Sequence, residues 1–112
     1  MSELFGTSRR QISRRQLPRR KVLWGARLTN LTGSRYLRCV ARDISFTGAR
    51  IDIGDNQFLD RSGYFLDVRN RIAYEAVIVW CRHPEMGLQF IRTYRFDEIP
   101  SATIGDHIRN EY

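Results

Sequence analysis

The stretch Arg71–Arg82, which reads RIAYEAVIVWCR, is the longest apolar run in the chain. Its periodicity alone is compatible with a buried helix as well as with a strand. The β-branched and aromatic residues from Val77 to Trp80 favour a strand, because such side chains pack well on a pleated sheet. We therefore predict a central strand here, and this prediction places the chain among β folds.

Alternation of apolar and polar residues predicts five further strands around this run. Their expected ranges are Val22–Thr29, Leu37–Arg42, Ala49–Ile53, Tyr64–Val68 and Leu88–Ile91. Turn-forming residues separate these strands, and Phe58 and Leu59 are expected to pack beneath the longer loop before the fourth strand. Six short strands joined by tight turns imply an antiparallel barrel or sandwich, and we predict a small, all-β, six-stranded antiparallel β-barrel.

The length of 112 residues suits one domain with a modest core. We expect a flexible N-terminal segment over residues 1–12, the barrel domain with its N-terminal arm over residues 13–96, and a tail or short helix over residues 97–112. Ile104, Ile108 and Tyr112 lie at helical spacing beyond Pro100. Gly105 weakens this helix by about 1 kcal/mol relative to alanine.

Positive charge is concentrated in Arg9–Lys21, which reads RRQISRRQLPRRK. Seven of the 19 basic residues and one of the 12 acidic residues lie in residues 1–21, so this arm carries a formal charge of +6 and the remainder +1. Leu17-Pro18 favours an extended backbone that leads into the first strand. Arginine pairs bidentately with phosphate or guanine and stacks on bases, so the arm suggests an anionic ligand bound at one place. Taken alone, the arm also fits a solvated tail or one attracted to nucleic acid.

A second motif, Asp43–Gly48 (DISFTG), links the second and third strands. As a plain hairpin, its Asp and Ser would bond to nearby amides and its Gly would supply a positive φ. As a ligand site, a carboxylate accepts the N1–H and exocyclic amine of guanine side by side, a serine hydroxyl donates to phosphate, and glycine admits a flat ligand. Combined with the arginine arm, these residues describe a site for a ligand rich in guanine and phosphate.

The two motifs together resemble the PilZ domains, which are receptors for the bacterial second messenger cyclic di-GMP. Those domains carry R-x-x-x-R on an N-terminal arm and [D/N]-x-S-x-x-G at a turn of a six-stranded antiparallel barrel. The resemblance covers residues 13–92, and it rests on Arg15–Arg19 (RQLPR), Asp43–Gly48, and the later strand segments GARI, VIVW and GLQF. Arg10–Arg14 also matches R-x-x-x-R, but Arg15 and Arg19 lie immediately before the first strand, as in the family.

The resemblance implies a role for each motif residue. Arg15 and Arg19 would bind phosphate oxygens and guanine Hoogsteen edges. Asp43 and Ser45 would hold a guanine and its neighbouring phosphate, and Gly48 would keep the turn open. The arm would be mobile without ligand and would fold across the barrel when cyclic di-GMP bridges it to the turn.

The resemblance also suggests that Arg14, or alternatively Arg10, stacks on a base of a second, intercalated ligand molecule. Whether one or two ligands bind stays open. Many family members end in a longer amphipathic helix than this tail allows, so both a monomer and a homodimer stay open. A receptor of this size without an output domain would act through a downstream protein partner or by dimerising.

Catalysis and cofactors are not expected, because no activated nucleophile or carboxylate pair is placed for acid–base chemistry. His83 and His107 are interpreted as solvated or packed side chains, and Trp24 and Trp80 as core residues. No metal site is expected either, since the histidines and cysteines do not form a convincing zinc set.

A cytoplasmic protein is expected, because no run approaches the roughly 20 apolar residues of a membrane span and the N-terminus lacks an apolar signal-peptide core. Cys39 and Cys81 fit reduced core thiols. Two other interpretations stay open: a small basic barrel that binds nucleic acid nonspecifically, and a PilZ-like scaffold that acts only through protein contacts. The nearly neutral body argues against the first, and the intact motif residues argue against the second.

Overall fold

Six antiparallel strands form a closed barrel in residues 19–109, the part of the chain that the computed structural model describes, with backbone alone for residues 19–23. The strands are β1 Arg19–Thr29, β2 Tyr36–Ser45, β3 Gly48–Asp52, β4 Ser62–Asp67, β5 Ile72–Arg82 and β6 Glu85–Arg95. Their order around the barrel is β1-β2-β3-β6-β5-β4. The predicted fold is confirmed, and the apolar run that begins at Arg71 is a strand.

The barrel core contains alternate residues of β1, β2 and β3 that the sequence pattern placed on one face, together with residues for which no face was predicted, such as Phe65 and Met86. Side chains from all six strands meet there, among them Ala26, Leu28, Cys39, Ala41, Ile51, Phe65, Ala76 and Met86. In the loop before β4, Phe58 is buried as predicted, but Leu59 is 90% exposed. The prediction for Leu59 is wrong, because only one of these two adjacent side chains points into the barrel.

A short helix, α1 (Ala102–Arg109), follows a 3₁₀ turn at Phe96–Glu98. The Ile104 backbone N–H donates to the Ser101 hydroxyl over 3.3 Å, so that Ser101 caps the first turn. Ile104 and Ile108 are buried in a second apolar cluster with Tyr64, Leu66 and Ala73. The predicted terminal helix is confirmed, and its packing explains why β4 is buried on both faces.

The far end of β5 differs from the sequence prediction. β4 pairs with β5 only as far as Val77, and a register shift against β6 follows between Ile78 and Trp80. Trp80 is 43% exposed and Cys81 is also exposed. The prediction that both are core residues is therefore wrong, because they lie beyond the part of β5 that β4 covers.

Several predictions concern residues 1–18 or 110–112, which lie outside the described residues. They include the flexible segment over residues 1–12, the mobility of the arginine arm and the place of Tyr112. Among the helices of residues 19–109, none has the length and apolar character needed to cross a membrane.

Candidate functional site

A β-bulge in β2 decides which way Asp43 points. Ala41 is paired with Ile51 and Asp43 with Arg50, so β2 contains one residue more than β3 over this interval. Continued alternation would have directed Asp43 into the core after Cys39 and Ala41. The bulge instead aligns Asp43 with Arg50, which lies between two core residues of β3 and so faces outward.

A second irregularity lies beside it in β1. Lys21 is paired with Asp43 and Trp24 with Ala41, so β1 also carries one extra residue here. Bulges are enriched next to functional sites, where they redirect a side chain. Two bulges at the same level of neighbouring strands therefore mark this part of the barrel as a candidate site.

Register pairing brings both sequence motifs together. Arg19 is the register partner of Ser45, and Lys21 is the partner of Asp43. Gly48 begins β3 beside them. Of the predicted site residues, the structure thus brings together the backbone of Arg19 with Asp43, Ser45 and Gly48. The others, Arg10, Arg14 and Arg15, lie outside the described residues.

Asp43 forms an ion pair on the outer side of the barrel wall, where it is nonetheless almost fully covered. Its side chain is only 4% exposed, and Arg50 Nε donates to Asp43 Oδ2 over 2.9 Å. Arg50 Nη1 also donates to Glu85 Oε2 over 2.9 Å. The hydrogen bond to Asp43, with the one to Glu85, raises the pKa of Arg50 above its ordinary value. The result is a carboxylate–guanidinium–carboxylate chain across β2, β3 and β6.

Arg50 and Glu85 are residues that sequence analysis did not select for the site. Arg50 was visible as the polar residue between two inward-facing residues of the third predicted strand. Its link to Asp43 depends on the register between β2 and β3, which the bulge shifts. Strand pairing, not residue spacing, therefore reveals this contact.

Ser45 organises the turn between β2 and β3. The Thr47 backbone N–H donates to Ser45 Oγ over 3.3 Å, and Ser45 Oγ lies 3.4 Å from the Gly48 carbonyl oxygen, to which it donates. This confirms that the serine bonds to nearby backbone, as expected of a hairpin. Phe46, at the tip of the turn, is exposed.

Gly48 has a different role from the one predicted for a plain hairpin. It is not among the described residues with a positive φ, which are Arg71, Gly33 and Gly54. A Cβ at position 48 would overlap the Leu88 carbonyl oxygen of β6. The glycine is therefore required by the close approach of β3 and β6.

Trp80 lies next to the ion chain. Arg50 is paired with Gly87, and Gly87 in turn with Trp80. A Cβ on Gly87 would overlap the indole ring, so the indole lies across the bare glycine backbone. A partly exposed aromatic ring beside a guanidinium and two carboxylates offers a flat surface on which a base can stack.

A cleft of about 410 Å³ adjoins Ser45 on the other side. It is lined by Ser45, Phe46, Tyr74, Phe90, Ile91, Arg92 and Thr93. The Tyr74 and Phe90 rings are stacked with their centroids 4.2 Å apart.

Within residues 19–109, no group of three or more His, Cys, Asp or Glu side chains could hold a metal ion.

The fold places this chain among small closed antiparallel β-barrels. Within that class, a family model described as PilZ domain matches residues 9–108, which is most of the chain. The protein therefore belongs to the PilZ domain family, whose members are generally cyclic di-GMP receptors and typically binding domains without catalytic activity. A search of the curated proteins finds no match.

Proposed function

We propose that this protein is a non-enzymatic receptor for cyclic di-GMP. The observation that carries the proposal is the register pairing of Arg19 with Ser45, which joins the arginine arm to the D-x-S-x-x-G segment. Membership of the PilZ family supports it, because the two motifs are those on which the family binds its ligand.

Each motif residue contributes a different interaction. The Asp43 carboxylate accepts the N1–H and exocyclic amine of one guanine, while the Ser45 hydroxyl donates to the adjacent phosphate. Arg15 and Arg19 bind phosphate oxygens and guanine Hoogsteen edges through their planar forks of donors. Arg14, or alternatively Arg10, stacks on a base of a second ligand molecule.

Burial of Asp43 couples ligand entry to movement of the chain. Because its side chain is 4% exposed, a guanine reaches the carboxylate only after a neighbouring group moves. On the β1 side the neighbouring segment is Arg19–Lys21, the last part of the arginine arm. Binding of the ligand therefore rearranges the arm. Ordering the arm lowers the affinity for the ligand, but it creates a new surface that a downstream protein partner recognises.

One observation favours a second function, a scaffold that acts only through protein contacts. Asp43 already has a partner within the protein, since Arg50 pairs with it. A carboxylate nevertheless offers about four lone-pair sites, so the bond from Arg50 does not by itself exclude a guanine. For this reason we rank the receptor above the scaffold.

Isothermal titration calorimetry tests the proposal directly. Cyclic di-GMP is titrated at low and high salt into wild type, Arg15→Ala/Arg19→Ala, and a charge-matched control, Arg38→Ala/Arg61→Ala, whose two arginines are exposed. GTP serves as the ligand control. Saturable binding that survives salt, excludes GTP and is lost only in the first double variant supports the receptor.

The other outcomes identify the alternatives. Heat that appears only at low salt, and with GTP as well, indicates a general polyanion tail and makes nucleic acid the next ligand to test. No heat at either salt concentration refutes the receptor and favours the scaffold. The stoichiometry of a positive titration distinguishes one bound ligand from two.

A further inference from the structure

Two ion pairs in series connect Asp43, Arg50 and Glu85 on the outer side of the barrel wall. The Arg50 guanidinium uses Nε for Asp43 and Nη1 for Glu85, both over 2.9 Å. The exposed fraction of the side chain rises along this series of ion pairs, from 4% for Asp43 to 30% for Arg50 and 32% for Glu85. The most buried member is the one that would meet the ligand.

Anchoring at two points fixes the orientation of the guanidinium. The group is planar, so a rotation that kept one of its two hydrogen bonds would break the other. Because Glu85 holds one side of the plane, the Nε–H remains directed at Asp43 Oδ2. Arg50 in turn restricts the torsion of the Asp43 carboxylate and balances a charge that has little access to water.

Guanine recognition requires this kind of restriction. A carboxylate reads guanine only when its two oxygens lie in the plane of the base, one at the N1–H and one at the exocyclic amine. Arg50 uses one acceptor site on Oδ2, and a carboxylate has about four such sites, so the bond from Arg50 does not compete with two bonds to a base. A carboxylate held in advance also loses less conformational freedom on binding.

We propose that Arg50, anchored by Glu85, is a positioning residue that orients Asp43 for guanine recognition. This inference rests on the proposed function. It assigns a role in ligand specificity to two residues outside both sequence motifs. The preference for guanine would then depend on side chains from three strands, β2, β3 and β6.

The competing explanation is that the ion chain only links β2, β3 and β6. A purely structural link would affect ligands with and without the guanine exocyclic amine equally. Cyclic di-IMP, whose bases lack that amine, is therefore the informative comparison. The measured quantity is the ratio of the two dissociation constants, which a general loss of stability does not change.

The experiment compares wild type, Arg50→Gln, Glu85→Gln and the charge-matched control Arg38→Gln, an exposed arginine on the same strand as Asp43. Each is titrated with cyclic di-GMP and cyclic di-IMP, after circular dichroism has shown that it is folded. We expect Arg50→Gln to weaken cyclic di-GMP binding by about ten- to a hundredfold and to reduce the preference over cyclic di-IMP. Glu85→Gln keeps the Asp43 contact, so it should lower the preference less, and Arg38→Gln should match wild type.

A double-mutant cycle shows whether Arg50 acts through Asp43. If it does, Arg50→Gln adds little to the loss already caused by Asp43→Asn, since the two changes remove one interaction. Additive losses, or an unchanged ligand preference in Arg50→Gln and Glu85→Gln, overturn the inference while leaving the receptor function intact. Absence of cyclic di-GMP binding in wild type overturns both. If Arg50→Gln does not fold, the ratio of the two dissociation constants in Glu85→Gln alone tests the inference.

Discussion

Arg19 and Ser45 are register partners on the adjacent strands β1 and β2. The pairing places the last arginine of R-x-x-x-R beside the serine of D-x-S-x-x-G, although a whole hairpin separates them in the sequence. The backbones of the two motifs therefore lie side by side, which is the arrangement that the proposed ligand requires. The arrangement makes the two residues testable as a pair.

Removal of either partner should weaken cyclic di-GMP binding by different amounts. We expect Arg19→Ala to raise the dissociation constant about ten- to a hundredfold, because charge-assisted hydrogen bonds are lost. Ser45→Ala should raise it only about three- to tenfold, since one neutral donor is removed. Calorimetry checks both, with Ser34→Ala in the β1–β2 turn as the matched serine control. Equal binding by Arg19→Ala and wild type would contradict the assignment of this arginine.

Gly48→Ala should destabilise the barrel by about 1–3 kcal/mol, because the new methyl group meets the Leu88 carbonyl oxygen and forces β3 away from β6. Urea denaturation measures the change in the free energy of unfolding. Gly25→Ala is the matched control, since a Cβ there has no neighbour within 4 Å. A Gly48→Ala protein of wild-type stability that no longer binds ligand would show that the glycine serves the ligand and not the packing.

The two cysteines should differ sharply in reactivity. Cys39 is buried and Cys81 is exposed, so a thiol reagent should label Cys81 in the native protein and Cys39 only after unfolding. Mass spectrometry of the labelled protein distinguishes them. Labelling of both sites at equal rates under native conditions would contradict the burial of Cys39.

Burial raises the pKa of the Cys39 thiol from 9.0 to about 12. Because the unfolded chain loses this proton first, the stability contribution is complete below pH 9 and is lost as pH rises towards 12. At a pH midway between these values, the loss should be about 2 kcal/mol. Urea denaturation across this range should show a steeper fall for wild type and Cys81→Ser than for Cys39→Ala. Parallel curves for all three proteins would rule out this contribution.

Ile104→Ala should lower the free energy of unfolding by about 2–5 kcal/mol, because Ile104 is completely buried between α1 and the outer face of β4 and β5. Thr103→Ala, at an exposed position of the same helix, is the control and should change stability by less than about 0.5 kcal/mol. Thermal or urea denaturation measures both. A small effect at Ile104 would mean that the helix contributes little to the folded domain.

Alternation of apolar residues was sufficient to predict the six strands and most of the core, because inward-facing positions such as Cys39, Ala41 and Ile51 follow a strict period of two. The same rule fails at Asp43. Extended beyond Arg42, where the predicted strand ends, it would direct Asp43 into the core. The extra residue in β2 turns Asp43 outward instead, and that bulge depends on how β1 and β3 pair with β2. No local property of the sequence marks that bulge.

Contacts that depend on the register between strands likewise could not be predicted from the sequence. The partnership of Arg50 with Asp43 and Glu85 joins three strands, and only their alignment shows that these charges meet. Trp80 belongs to an apolar run, and its exposure follows from the point at which β4 stops covering β5. In both cases the missing information was the pairing of distant segments.

The packing of Gly48 against β6 has a consequence for anyone who searches genomes with the D-x-S-x-x-G pattern. The three fixed letters of that pattern have different roles: the glycine permits the close approach of β3 and β6, whereas the aspartate and serine are the residues that the proposed ligand would contact. A relative that no longer binds the ligand but keeps the barrel fold would still need the glycine. Searches that weight the three letters equally would therefore give such a protein one-third of a full match for a residue that reports only on packing.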